Sequence, residues 1–198
     1  IWKDVPGVLN ADPKFFDNTK LIPKMSYLDA MELAYFGTSV IHPKTIKPLQ
    51  NAGIPLYVKS FIAPDKQGTQ VDDSATAEAV PTYIVKKNQA LISISPKDHS
   101  FVAENHFVEI FTVLNDLRIK SNVMQNSAVS FSFCTDFNQA RISELRNQLS
   151  EQFDLRYNQD CELITIRHFN EETIDELVAK REILLEQRTR SSAQLVVK

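Results

Sequence analysis

The chain has 198 residues, 43% of them hydrophobic and 24% charged, with a formal net charge of -3. Such a composition belongs to an ordinary water-exposed globular protein and leaves room for one large domain or two small ones. It gives no basic footprint for nucleic acid or an anionic membrane, and no apolar run reaches the length of a bilayer.

Residues 1–14 (IWKDVPGVLNADPK) read as a strand running into a loop. The chain opens with neither an initiator methionine nor a basic-then-apolar leader, so the expectation is a fragment of something longer. Among its 4 glycines there is no glycine-rich phosphate loop. Ser26 followed by Asp29 spells a capping box and starts a helix. Leu28, Met31 and Tyr35, with Ala34 alongside, share one apolar face of it. Gly37 ends that helix, Pro43 opens the next, and Gly53 closes it, with Pro48 expected to kink or shorten it. Residues 54–61 (IPLYVKSF) have the apolar, partly β-branched character of a central parallel strand. Helices alternating with such strands indicate an α/β layer architecture. From 64 to 81 apolar periodicity fades, which marks the best candidate for a domain boundary.

Beyond it the pattern changes. Residues 90–95 (ALISIS) alternate as a strand, and 102–117 form an amphipathic helix through Phe107, Ile110, Phe111, Leu114 and Leu117. Two strands, 119–125 and 128–134, join at Asn126-Ser127. Ile142, Leu145 and Leu149 mark a second helix, and residues from Phe153 (FDLRY) a further strand. The order β-α-β-β-α-β is the ferredoxin-like plan. It then restarts: a strand at 161–167, a helix at 171–180, and strands at 183–189 and 193–198. Val123-Met124-Gln125 and Leu185-Glu186-Gln187 occupy equivalent places in the two units. The expected division is 1–75, 82–158 and an incomplete unit at 159–198. Cys134 and Cys161 fall in strand-like runs and read as buried free thiols in a reducing cytosol.

The segment 25–69, with its ELAYFG, HPKTI and GIPLYVKSF runs, resembles one enzyme family closely: the aspartokinases, which phosphorylate the side-chain carboxylate of aspartate. The two βαββ units that follow look like the tandem ACT domains, amino-acid-sensing modules, of that family. The fold class implied is an α/β remnant of an amino acid kinase domain followed by α+β ferredoxin-like (ACT) tandem units. The opening segment is similar to the family's nucleotide loop through Trp2, Asp4, Val5, Gly7, Asp12 and Pro13. The resemblance thus implies ATP and Mg2+ as cofactors of the parent enzyme, with Trp2, Asp4, Asp12, Pro13 and Lys14 on the nucleotide side. For Asp4 and Asp12 the other reading is a turn residue that caps local N–H groups. Lys3, Lys14 and Ser39 depart from the threonine, arginine and lysine usual there, and Lys14 lacks the bidentate fork of arginine.

The family's catalytic lysine and aspartate-binding motifs belong to the N-terminal half of the kinase domain, so no catalytic residue is expected in this chain and the chain alone is expected to be inactive. His42 reads as the residue that sets up a helix start rather than as a general base. No metal site of its own is expected near His99 or His106. By resemblance, the effector would sit against Phe107, Val108, Asn122, Gln125, Asn126 and Ser127. Asn122 and Ala128 stand where lysine-sensitive members carry an aspartate and a glutamate, which leaves threonine or another neutral amino acid open beside lysine. Partners implied are aspartate and ATP for the parent, an amino acid effector, and a second copy in an ACT-mediated homodimer; nucleic acid and membrane are not expected. The expected location is cytoplasmic. The alternative is a separately made, non-catalytic, amino-acid-binding regulatory subunit.

Overall fold

A computed structural model describes residues 1–38, 40–73 and 80–198. The Ser39 replacement and the boundary at residue 75 lie outside the described residues. Two compact units make up the chain. One comprises Ile1–Ile84, Thr165–Glu176 and Thr189–Ala193; the other comprises Val85–Ile164, Leu177–Arg188 and Gln194–Lys198.

In the first unit, β1 (Trp2–Lys3), β2 (Lys24–Met25), β3 (Leu56–Ser60) and β4 (Thr69–Val71) form a four-stranded sheet in the order β1-β3-β4-β2. β3 is interior, as its apolar content implies, but only its pairing with β1 is parallel; β4 runs antiparallel to it. Leu56 and Val58 enter the core while Tyr57 is exposed. One covered face requires alternation rather than a continuous apolar run, which corrects the fully parallel reading. β4 lies within the stretch that composition marks as a linker, with Thr69 and Val71 both buried.

α1 (Tyr27–Phe36) starts as its capping box dictates: Ser26 Oγ accepts the Asp29 N–H at 3.0 Å and donates to Asp29 Oδ2 at 2.7 Å. Its buried face is Tyr27, Ala30 and Leu33, whereas Leu28 and Tyr35 are each 56% exposed. The expected face is therefore rotated, because the Tyr27 hydroxyl donates to the Ile54 carbonyl and turns that side inward. In α2 (Pro43–Ala52) the His42 Nδ1 accepts the Lys44 N–H at 3.1 Å, so His42 is the N-cap, as its place before Pro43 suggests. The helix runs unbroken through Pro48, whose exposed ring removes one hydrogen bond without ending it.

The second sheet has six strands in the order β6-β7-β5-β8-β10-β9. They are β5 (Thr82–Pro96), β6 (Val123–Asn126), β7 (Phe131–Asp136), β8 (Phe153–Arg167), β9 (Ile183–Arg188) and β10 (Ser192–Val197), with α3 (Glu104–Asp116), α4 (Gln139–Leu149) and α5 (Glu171–Val178) between them. β5-α3-β6-β7-α4-β8 is the ferredoxin-like unit, and β9 and β10 continue its sheet past β8. The repeat is visible in the order itself: β6 and β9, carrying the two equivalent tripeptides, are the outermost strands. The strands read separately at 153–157 and 161–167 are one strand, β8. Its middle holds Asp160 at φ 59°, matched by Asn88 at φ 55° in β5. Both are residue types that tolerate a left-handed backbone, so each strand passes a local irregularity without breaking.

Alternation along the strands builds two cores. Ile92, Ile94, Phe131, Phe133 and Phe153 pack with Ile110 and Leu114 of α3 and Ile142, Leu145 and Leu149 of α4. Val123, Cys134, Cys161, Leu163, Leu185 and Val196 gather in a separate cluster. Each fully buried side chain of this size contributes about 1.5–3 kcal/mol of burial free energy.

Candidate functional site

The first candidate site is the loop between β1 and β2. Its base is a short antiparallel stalk: Leu9 bridges Leu21, Ile22 N–H donates to Val8 C=O at 2.9 Å, and Asn10 N–H donates to Lys20 C=O at 2.9 Å. Asn10 adds three more bonds. Its Oδ1 accepts from Lys20 N–H at 2.6 Å, its Nδ2 donates to Pro81 C=O at 3.2 Å, and its carbonyl accepts from Tyr83 N–H at 2.7 Å. The buried Thr69 hydroxyl accepts from Val8 N–H at 2.8 Å and donates to Ile22 C=O at 2.7 Å. Gly7 sits against that hydroxyl at φ 155°, where an added Cβ would lie 2.6 Å from Thr69 Oγ1.

Above this stalk, Asp12, Pro13 and Lys14 form an exposed tip in which Asp12 Oδ1 accepts the Lys14 N–H at 2.9 Å. Trp2 is 58% exposed on β1, with Lys59 Nζ 5.9 Å from its ring centroid, and Asp4 is exposed just after that strand. The turn reading of Asp12 is thus realised locally, on an exposed residue. Among the described residues no group of three or more His, Cys, Asp or Glu side chains could hold a metal.

The second candidate is the hairpin end of the ferredoxin-like unit. Phe107 meets Phe131 edge-on with ring centroids 5.5 Å apart, so its ring belongs partly to the core. Val108 is 69% exposed on the outer side of α3. Gln125 and Asn126 are exposed at the end of β6. Ser127 closes the turn, its hydroxyl accepting from the Val129 and Ser130 N–H groups.

Asn122 stands apart from these. Its Nδ2 donates to Gln89 Oε1 at 2.9 Å and to Asp136 Oδ1 at 3.2 Å, and its Oδ1 accepts from Lys86 Nζ at 3.0 Å. Gln89, 2% exposed, completes the group through Nε2 to Asp136 Oδ1 at 2.9 Å. Burial and then the neighbouring Lys120 pull the Lys86 ammonium below its usual pKa, with Asp136 opposing. The sequence singled out Asn122 but gave no signal for Lys86, Gln89 or Asp136, because they meet only through strand pairing. His106 is structural: its Nδ1 accepts the Ala103 N–H at 3.1 Å and its ring packs edge-on against Phe153.

Cys134 and Cys161 are free and buried, and burial pushes the Cys134 thiol up to about 12. The thiol is therefore the protonated, inert form at neutral pH.

Known proteins resemble the chain in sequence and in fold. The pattern of the amino acid kinase family matches residues 1–60. Aspartokinase 2, chloroplastic, of Arabidopsis thaliana is 35% identical over 142 residues, covering 69% of this chain and 25% of the plant protein. The bifunctional aspartokinase/homoserine dehydrogenase of Haemophilus influenzae is 32% identical over 162 residues, covering 76% of this chain and 20% of that protein. The chain thus spans about a quarter or less of the length of these relatives. Clostridium acetobutylicum aspartate kinase shares its fold with TM-score 0.85 at 20% identity, over 100% of this chain and 50% of that one. E. coli aspartokinase III, solved with aspartate and ADP, gives TM-score 0.77 at 21% identity over 99% of this chain and 47% of that one. In sequence and in fold, then, the chain matches the C-terminal part of aspartokinases.

Proposed function

We propose that the chain is the C-terminal portion of an aspartokinase, an enzyme that transfers a phosphoryl group from ATP to the side-chain carboxylate of aspartate under feedback control. The observation that carries this reading is the joining of an amino acid kinase match at residues 1–60 to a ferredoxin-like sheet. In this reading residues 1–75 close the kinase domain, 82–158 form a first ACT domain and 159–198 part of a second. Trp2, Asp4, Asp12, Pro13 and Lys14 face the nucleotide. An exposed aromatic ring, a basic tip residue and two exposed aspartates are chemically suited to adenosine triphosphate. The two aspartates alone do not make a Mg2+ site, so the cation would depend on the nucleotide's own phosphate oxygens. Phosphoryl transfer needs charge clamps around the moving group that these residues do not supply, so the chain by itself has no kinase activity. Aspartate-dependent ATP turnover by the purified chain would overturn that statement.

The effector binds against Phe107, Val108, Gln125, Asn126 and Ser127 at the hairpin end of β6, with Asn122 at the other end of that strand. Lys86 sharpens the choice of effector. Its ammonium lies 3.0 Å from Asn122 Oδ1, so the ε-ammonium of a lysine brought to Asn122 would meet a like charge. A neutral amino acid such as threonine carries no such penalty. Binding shifts the ACT pair, dimerised with that of a second copy, against the kinase domain and lowers activity in the cytoplasm. The test is a thermal-melt panel with lysine, threonine, methionine, leucine and aspartate at millimolar concentration. At a hundredfold over its dissociation constant the true effector adds about 2.7 kcal/mol. A shift with lysine alone would reject the neutral-effector reading. A separately made regulatory subunit would behave the same way in this panel; a transcript encoding this chain alone distinguishes it.

A further inference from the structure

We propose that the cavity between the end of α3 and the start of α4 is a binding site for a phosphate group, separate from the hairpin end where an amino acid would sit. The cavity measures about 70 Å3, and Arg118, Lys120, Thr135, Asp136, Asn138 and Arg141 line it. That volume exceeds the roughly 30 Å3 share of one water, so it admits a small polyatomic ion.

Three features converge on an anion. Arg118, Lys120 and Arg141 line the cavity with the one carboxylate of Asp136, so cationic side chains outnumber anionic ones around it. Arg141 is already oriented, because its Nη1 donates to the Arg118 carbonyl at 3.1 Å. The N-terminus of α4 supplies donors: Asn138 Oδ1 accepts the Arg141 N–H at 3.1 Å, leaving those of Gln139 and Ala140 without a partner inside the helix.

The independent observation is Thr135. It shares a sheet face with Phe131 and Phe133, so it stands on the helix-covered side of β7, at the strand end where the apolar core stops. Thr135 is only 4% exposed and lines the cavity, and among the described residues its hydroxyl has no hydrogen-bond partner. A hydroxyl that opens onto the cavity can donate to an oxyanion held there. The register places this site at the Gln89↔Asp136 end of the β5–β7 ladder, whereas the hairpin turn lies beyond the Ile94↔Phe131 end.

The phosphate group could belong to the free ion or to a nucleotide, and two ligands separate these sources. The chain is titrated with inorganic phosphate and with ATP, each against chloride at equal ionic strength, and followed by amide chemical shifts. We expect shifts at Thr135 and Gln139–Arg141, and at least tenfold weaker binding in Arg141→Gln and in Thr135→Val. Tighter binding of ATP than of phosphate at those same amides identifies a nucleotide; equal or weaker binding identifies the free ion. Equal shifts with chloride, or binding unchanged in both variants, would overturn the site. Thr135→Val removes only the unpaired hydroxyl at constant shape, so its fold is retained. Amino acid titration moves amides at 107, 108 and 125–127 instead, which keeps failure of the effector reading distinct from failure of this one.

Discussion

Arg167 donates to Asp29 twice, from Nε at 2.9 Å and from Nη2 at 2.5 Å, both to the same carboxylate oxygen. Its third nitrogen pairs with Glu32, and His168 Nε2 stands 3.6 Å from the shared Asp29 oxygen. Only 8% of the Arg167 side chain and 15% of that of Asp29 is exposed. Removing one partner of such a pair costs more than replacing both, because the survivor stays charged and dry. Arg167→Met is expected to lower unfolding free energy by about 3 kcal/mol, and adding Asp29→Asn to it should recover part of that loss. Urea midpoints of the two variants test this; additive losses would show that the pair is not coupled.

The same carboxylate predicts a pH dependence. Burial works to raise the Asp29 pKa, but its hydrogen bond to Ser26 and then its bond and charge pairing with Arg167 outweigh burial and leave it below the ordinary carboxylate value. A group more acidic when folded stabilises the fold fully above its unfolded pKa, about 3.9, and loses that contribution as pH falls through its folded value. Asp29→Asn should therefore flatten the loss of stability on acidification below about pH 5. An acid-unfolding slope identical to that of the parent chain would remove Asp29 from the account.

Thr69 ties two segments of the β1–β2 loop through one hydroxyl. Thr69→Val keeps the shape but strands the Val8 N–H and the Ile22 carbonyl, each costing about 1–3 kcal/mol if it stays buried. Gly7→Ala drives a methyl to within 2.7 Å of Leu21 Cδ1 as well as against Thr69. Both variants should speed amide hydrogen exchange at Val8, Asn10 and Ile22 while leaving α4 protected. Uniform loss of protection across the chain would instead mean global destabilisation.

Cys134 gives a chemical test of burial. Its thiol should resist alkylation at pH 8 in the folded chain and react once the chain is unfolded in denaturant. Because its pKa is raised on folding to about 12, chiefly by desolvation, its contribution is whole below the ordinary thiol value and fades as pH rises toward 12. Rapid labelling of Cys134 under native conditions would contradict the buried assignment.

Local chemistry was readable from the chain and distant pairing was not. Ser26 and Asp29 announce the start of α1 because both halves of a capping box lie within four residues. Which side of α1 faces inward depended on Tyr27 finding the Ile54 carbonyl, a partner 27 positions away. The sequence reads as one strand from Phe153 and another at 161–167, yet Asp160 adopts a left-handed backbone inside β8 without interrupting it. β4 escaped notice because Thr69 and Val71 are two buried residues in a polar surrounding, too few to establish a period. In the candidate sites, Asn122 stood out by resemblance. Its engagement by Lys86, Gln89 and Asp136 needed the strand order that brings β5, β6 and β7 side by side. Arg167 carried no sequence signal, since nothing marks which acid an arginine will find.

The stalk beneath Asp12, Pro13 and Lys14 separates two selective pressures. The stalk bonds are made by Val8, Asn10, Lys20, Ile22 and Thr69, whereas the side-chain bond of Asp12 stays within the tip. Tip residues can therefore be exchanged, or the tip lengthened, with the anchoring bonds intact. That arrangement makes the tip an evolutionary cassette: the departure at Lys14 falls on an exposed position where ligand contacts change at almost no cost to folding.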